Sequence, residues 1–236
     1  ILGSWGRRSP TYFPSPADVV AGNNAMLALM GENPGLIQGY ACVNPNFTNH
    51  ALGEIDRCLG AEVIARPAGA KQSPRMIGIK LAASRRADDP LLDPICQAAA
   101  RHRVPILHHI WQHRRRDWPG QEASDAVELC TLARRHPGVA FILAHIGGGG
   151  DWHHSLHAVR PVPNVYVDLS GSGVDSVMLE SCLDAVGAGR LLWGADVTIA
   201  ALADIAPFLT GDAEACAAHA KKRLAHSKAE RDAIFA

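Results

Sequence analysis

Residues that can bind metals or transfer protons follow several short hydrophobic segments of this chain. The segment "VPILHHI" ends on the adjacent histidines His108 and His109, and "FILAHIGGGG" places His145 directly after a hydrophobic run. The segment "LLWGAD" ends on Asp196. Imidazole and carboxylate groups are ligands that suit zinc and similar divalent ions. These residue types, repeated after separate hydrophobic segments, indicate a metal site.

Other hydrophobic segments carry further polar groups. "GYACVNPN" includes Asn44, "GIKL" includes Lys80, and "VYVDLSGS" includes Asp168 and Ser170. Taken singly, each has an ordinary structural interpretation: Asp196 could cap the next helix, and Lys80 could form an ion pair. The metal hypothesis depends on their joint occurrence, because separate segments end on compatible ligand types.

The segment "WQHRRRDWPG" contains three consecutive arginines between two tryptophans. One interpretation is a solvated charged loop. The other is that an arginine, here Arg114, binds a substrate carboxylate through two parallel hydrogen bonds. The second interpretation favours an acidic aromatic or dicarboxylate substrate.

The polar residues are spaced by an alternation of strand-like and helix-like segments. The strand-like segments are nearly continuous hydrophobic runs, which is typical of parallel strands buried on both faces. We count seven of them, beginning at Ile1, Leu36, Arg75, Val104, Val139, Asn164 and Arg190. Strand and helix repeats of this kind predict a (β/α)₈ TIM barrel without its first strand, whose chemistry lies at the carboxyl ends of the strands. A doubly wound sheet is the alternative, but "ILGSWGRRSP" lacks the glycine spacing of a dinucleotide site.

Composition places the chain among globular proteins. Its 236 residues are 47% hydrophobic and 19% charged, with a formal net charge of zero, so no global electrostatic field attracts nucleic acid or an anionic membrane. The six cysteines are scattered without a CxxC pair, which favours reduced core thiols and a cytoplasmic location. We predict one barrel domain over 1–236 that is incomplete at both ends, because the chain starts without methionine and stops within a helical pattern. Open sheet edges in such a chain would favour a homo-oligomer.

The segments "VPILHHI", "HPGVAFILAHIGGG", "NVYVDLSGS" and "GAGRLLWGAD" resemble consecutive motifs of the amidohydrolase superfamily. They are most similar to the amidohydrolase-related branch that includes aminocarboxymuconate semialdehyde decarboxylase, and "ACVNPN" and "GIKL" also fit. In that branch, a metal, usually zinc, is held by an HxH pair on the first strand, a histidine on the fifth and an aspartate on the eighth. A further histidine ends the sixth strand and acts in catalysis.

The resemblance implies that His109 and Asp196 bind the metal and that Asp196 and His145 act in catalysis. His109 is the fourth residue after Pro105, as the motif requires, and only one of two successive strand side chains can face the barrel axis. Asn44, Lys80 and Arg114 are the candidate substrate-binding residues. No HxH pair occurs in the sequence, which is a departure from the family pattern.

Three functions are open at this point. The first is hydrolysis of a small amide, ester or lactone by a metal-activated water, with Asp196 accepting the proton and His145 stabilising the oxyanion. The second is non-oxidative decarboxylation of a small aromatic or unsaturated acid. The third is a catalytically inactive barrel that acts as a binding subunit, as the missing HxH pair would suggest. A metal-dependent nuclease is disfavoured because the sequence has no basic stripe.

Overall fold

The computed structural model describes residues 13–60, 74–110, 124–146, 152–170 and 176–194. These residues form one six-stranded parallel sheet in which each strand pairs with the next along the chain. The strands are β1 (Tyr40–Val43), β2 (Gly78–Leu81), β3 (Ile106–His109), β4 (Phe141–Ala144), β5 (Val165–Asp168) and β6 (Leu191–Leu192). Six of the seven predicted strands are thus confirmed, and the segment at Ile1 lies outside the described residues.

A helix follows each of the first five strands and another precedes the sheet. The helices are α1 (Pro16–Glu32), α2 (Thr48–Leu59), α3 (Asp93–His102), α4 (Ala126–Arg135), α5 (Trp152–Val159) and α6 (Ser176–Val186). Short 3₁₀ turns cover Pro45–Phe47, Pro90–Leu92 and Ala188–Arg190. None of the described helices is both long and apolar enough to cross a membrane.

The strand order distinguishes the two fold predictions. A doubly wound sheet reverses its strand order at a switch point, whereas a barrel adds each strand beside the previous one. Across the described strands the order is strictly sequential. The described residues therefore form part of a (β/α)₈ barrel, as predicted from the sequence.

The two faces of the sheet have different neighbours. Val43, Leu81 and Leu143 pack with helix residues in one large hydrophobic core, and we call this side of the sheet the outer face. Cys42 and Ala82, which alternate with these residues, form a separate small cluster on the opposite side, the inner face. In a barrel the inner face surrounds the axis, so the side chains at its carboxyl end are placed for chemistry.

The first helix, α1, begins with a reciprocal pair of capping hydrogen bonds. Ser15 is the N-cap of α1, its hydroxyl accepts from the backbone N–H of Asp18, and the Asp18 carboxylate accepts from the Ser15 backbone N–H in return. Reciprocal bonds of this kind satisfy two backbone donors that a helix start otherwise leaves unpaired. Pro16 occupies the first helical turn, where its missing N–H has no cost.

The side chain of Asn23 in α1 makes the pair of hydrogen bonds to the β1 backbone that a neighbouring strand would make. Its Oδ1 accepts from the backbone N–H of Cys42 at 2.9 Å, and its Nδ2 donates to the Cys42 carbonyl at 3.0 Å. The same Nδ2 donates to Glu54 Oε1 of α2 at 3.0 Å, and Arg57 holds the other carboxylate oxygen at 2.8 Å. This buried network joins α1, α2 and β1.

The described cysteines agree with the prediction of reduced core thiols. Five of them are buried and unbridged, namely Cys42, Cys58, Cys96, Cys130 and Cys182. Burial raises the pKa of Cys42 and Cys96 to about 12, so both thiols stay protonated. Cys216 lies outside the described residues.

Candidate active site

The pairing of β3 decides which of the two adjacent histidines faces the barrel axis. His108 lies opposite Leu81 of β2 and Leu143 of β4, so its side chain belongs to the outer face. His109 is the next residue, pairs with Ala144, and therefore projects from the inner face. This geometry supports the choice of His109 rather than His108 as the candidate ligand.

His109 and His145 meet at the carboxyl end of the inner face. Their ring centroids are 4.9 Å apart and the ring planes are inclined by 70°. Both side chains are buried, with exposures of 8% and 7%. The strand order brings them together, because His109 ends β3 and His145 directly follows its neighbour β4.

The environment of His109 keeps its imidazole neutral. Burial lowers the pKa of His109, and the positive charge of Lys80 and the nearby His145 and His108 lower it further, to about 2. The pKa of His108 is lowered to about 4, again chiefly by burial. A neutral imidazole has the lone pair that a metal ligand needs, so His109 is chemically suited to bind a divalent ion.

Lys80 places positive charge on the same inner face. It pairs with Cys42 on one side and Leu107 on the other, and it is only 8% exposed. After burial, its positive charge is a further cause that lowers the pKa of both His108 and His109. Lys80 and His109 therefore lie on the same face of neighbouring strands.

His145 has an unusual backbone conformation that is held by β5. Its φ is +69°, in the left-handed region that non-glycine residues seldom adopt and that costs about 1 kcal/mol or more. Its ring Nδ1 lies 2.9 Å from Ser170 Oγ, and Ser170 Oγ donates to Asp168 Oδ2 at 2.7 Å. The next backbone N–H, of Ile146, donates to the Asp168 carbonyl at 3.2 Å.

The side chain of Asn44 makes hydrogen bonds to Asn46 and to the Pro14 carbonyl. Its Oδ1 accepts from the backbone N–H and the side-chain amide of Asn46 at 3.0 and 2.8 Å, and its Nδ2 donates to the Pro14 carbonyl at 2.9 Å. These contacts fix the turn after β1 and account for the burial of Asn44. Its predicted role in substrate binding stays a prediction.

Two predicted site residues, Asp196 and Arg114, lie outside the described residues. Within the part of the chain that the structure describes, no three His, Cys, Asp or Glu side chains are grouped to hold a metal. The inner-face imidazole of His109 fits a divalent ion by its donor chemistry.

Asp168, Ser170 and Gly194 were not assigned to the site from the sequence. The "DLS" stretch at the end of β5 is the available signal, because an Asp side chain readily accepts from the backbone N–H two residues further on. Gly194 lies against this pair: a Cβ there would overlap Asp168 Oδ1 and approach Ser170 Cβ to 3.0 Å. The space left by this glycine cannot be recognised without coordinates.

Comparison with known proteins identifies the family. A parallel barrel with buried histidines at its strand ends is typical of metal-dependent barrel enzymes. The sequence profile described as Amidohydrolase matches residues 15–236. The chain therefore belongs to the amidohydrolase family, which places it among metal-dependent enzymes. Curated protein sequences give no significant match.

Solved structures with the same fold include three decarboxylase structures. A 2,6-dihydroxybenzoate decarboxylase complexed with 2,6-dihydroxybenzoate is 15% identical, with a TM-score of 0.58 over 78% of this chain and 68% of its own. The 5-carboxyvanillate decarboxylase of Sphingomonas paucimobilis is 17% identical, with a TM-score of 0.54 over 75% of this chain and 61% of its own. That of Novosphingobium aromaticivorans, complexed with manganese and 4-hydroxy-3-methoxy-5-nitrobenzoic acid, is 16% identical, with a TM-score of 0.52 over 77% and 60%. The chain thus spans less than two thirds of the 5-carboxyvanillate decarboxylases.

Proposed function

We propose that the protein is a divalent-metal-dependent decarboxylase that removes CO₂ from a small aromatic carboxylic acid without oxidation. The observation that carries this proposal is the meeting of His109 and His145 at the carboxyl end of the inner face, on the same face of the sheet as the buried Lys80. The decarboxylases of similar fold act on hydroxylated benzoates according to their names, which supports the same substrate class here.

The residues of this chain have separate tasks in the proposed reaction. His109 and Asp196 would hold the metal, which when bound supplies a positive charge that orients the substrate. Lys80 attracts the carboxylate, and Arg114 is the candidate for a bidentate contact with it. When the bond between the ring carbon and the carboxylate breaks, its electron pair stays on that carbon. The carbon then takes a proton that His145 or Asp196 delivers.

Hydrolysis of an amide, ester or lactone is the second candidate, and the description of the matching family favours it. In this reaction Asp196 accepts the proton of the attacking water and later returns it to the leaving group. His145 lies where it could interact with the substrate oxygen that becomes negative. Both candidates use the same inner-face residues and differ in the bond that breaks.

We expect zinc as the metal because imidazole and carboxylate groups, here those of His109 and Asp196, are donors that suit it. The Novosphingobium decarboxylase contains manganese, so both ions belong in the test. The full-length protein would be stripped with a chelator and reloaded with Zn²⁺ or Mn²⁺. It would then be assayed for CO₂ release from 2,6-dihydroxybenzoate and other hydroxybenzoates, and for hydrolysis of lactones and amides.

We expect the unchanged protein to release CO₂ and the Asp196→Asn variant to be inactive. His157→Ala, a change at an exposed histidine of α5, is the matched control and should keep full activity. Turnover of lactones or amides without CO₂ release would replace the first candidate with the second. A metal-loaded protein inactive on every substrate would support the inactive binding subunit instead.

A further inference from the structure

The histidine after β4 is the end of a hydrogen-bonded chain that starts at a carboxylate. Asp168 Oδ2 accepts the hydroxyl proton of Ser170 at 2.7 Å, and Ser170 Oγ lies 2.9 Å from His145 Nδ1. The other carboxylate oxygen, Asp168 Oδ1, accepts the backbone N–H of Ser170 at 2.8 Å. Both oxygens of Asp168 are therefore directed at Ser170.

The donors and acceptors along this chain determine which ring nitrogen of His145 carries the hydrogen. An ionised carboxylate can only accept, so the single hydroxyl proton of Ser170 lies between Oγ and Asp168. Ser170 Oγ must then accept from His145, which requires a hydrogen on Nδ1. In a neutral imidazole the other nitrogen, Nε2, then bears the lone pair.

The surrounding backbone is shaped to hold this chain. Gly194 leaves room for the Asp168 carboxylate, since any side chain at that position would overlap it. The left-handed conformation of His145 (φ +69°) is strained and has to be maintained by its contacts. Ser170 is 2% exposed, so water does not compete for its hydroxyl.

We infer that Asp168 and Ser170 are positioning residues that hold His145 as the Nδ1–H tautomer, so that Nε2 carries the lone pair of the neutral ring. The inference rests on the proposed function only in taking His145 to act in that reaction. The inferred tautomer changes the role of His145 that the resemblance to the amidohydrolase family implies. Neutral His145 can accept a proton or coordinate a cation through Nε2, but it can donate to a substrate oxygen from Nε2 only after gaining a proton.

The tautomer can be read directly, without any activity, from the ¹⁵N resonances of the imidazole ring. The metal-free, full-length protein would be labelled in its histidines, and the His145 signals would be assigned by their loss in His145→Gln. We expect the hydrogen on Nδ1 in the unchanged protein. A hydrogen on Nε2 would overturn the inference whatever the enzyme assay shows.

Asp168→Asn gives the sharpest comparison. The Ser170 backbone N–H requires an oxygen at the Oδ1 position, so the amide nitrogen must occupy the Oδ2 position and donate to Ser170 Oγ. The Ser170 hydroxyl then has to donate to His145 Nδ1, and the ring hydrogen moves to Nε2. We expect this reversal, together with a fall in kcat of about 10²–10⁴ if His145 is the proton carrier. If His145 kept its hydrogen on Nδ1 in Asp168→Asn, the inference that Asp168 sets the tautomer through Ser170 would be wrong.

Serine variants separate positioning from packing. Ser170→Ala should give a mixture of both tautomers, and Ser170→Thr, which keeps the hydroxyl, should restore Nδ1–H. Ser84→Ala is the matched control, because Ser84 is a buried serine at 4% exposure outside this chain of bonds, and it should leave the His145 signals unchanged. Retention of pure Nδ1–H in Ser170→Ala would overturn the role of the serine.

Discussion

His108 and His109 are chemically identical neighbours with opposite surroundings. His108 is 1% exposed among outer-face side chains, and its Nδ1 lies 2.9 Å from the His109 carbonyl oxygen. His109 projects from the inner face toward His145. Strand β3 thus ends on His108, whose side chain packs in the core, and His109, whose side chain faces the candidate site.

This contrast predicts different effects of truncating each residue. His109→Ala should abolish binding of one Zn²⁺ per chain while changing the stability of the metal-free protein little. His108→Ala should retain the metal but lower the free energy of unfolding by roughly 2 kcal/mol or more, because it leaves a cavity in the core. Elemental analysis and urea unfolding of both full-length variants test this. Metal loss in His108→Ala with retention in His109→Ala would reverse the assignment.

At this scale the sequence predicted residue types better than residue partners. The strand-end positions of His109 and His145 followed from hydrophobic runs and alternation of side chains, and the structure brings the two rings together. The bond from Ser170 to His145 could not be predicted, because it joins residues 25 positions apart and depends on a left-handed backbone at His145.

At the scale of elements, two side chains fasten successive units of the barrel. Arg190 Nη1 donates to the carbonyl of Val162 at 2.8 Å and to those of Val159 and Val165 at 3.3 Å. Asn164 Nδ2 donates to the carbonyls of Ala133 and Val139, at 3.1 and 2.9 Å. Each residue adds side-chain donors to backbone oxygens at a helix-to-strand connection. The arginine of the "GAGR" motif therefore has a structural role that the motif alone did not reveal.

The network at Glu54 predicts a dependence of stability on pH. Burial raises the pKa of Glu54, but hydrogen bonds from Arg57 and Asn23 outweigh this and leave it below the ordinary value. The carboxylate therefore stabilises the fold above the unfolded pKa of about 4.3, and this contribution is lost as the pH falls through the lower folded pKa.

Glu54→Gln should accordingly be less stable than the unchanged protein near pH 7, by roughly 1–2 kcal/mol. The difference should shrink below about pH 4, where the unchanged protein also loses the charge. Urea unfolding of both proteins across this range measures it, and Glu180→Gln, at an exposed position of α6, is the control. A difference that is constant with pH would show that Glu54 acts by shape and not by charge.

For the whole molecule, the sequential order of parallel strands is what makes residues far apart in sequence share one site. Nearly continuous hydrophobic runs predicted a parallel barrel, and six strands and the family profile agree with it. Lys80, His109 and His145 come from three neighbouring βα units, so the metal hypothesis is also a statement about tertiary structure. The network around Asn23 was not predictable in this way, because an amide that replaces strand hydrogen bonds leaves no pattern in the sequence.

Metal binding should therefore stabilise the barrel as a whole. A ligand that binds only the folded state adds about 2.7 kcal/mol at a concentration 100 times its Kd, and the melting temperature of the full-length protein should rise with added Zn²⁺. Comparison of Zn²⁺ with Mn²⁺ at equal concentrations identifies the preferred ion, and Mg²⁺, which avoids imidazole, should have little effect. The rise should vanish in His109→Ala and persist in His157→Ala. An equal rise in both variants would mean that the ion binds elsewhere on the protein and would remove the support for a metal centre between β3 and β4.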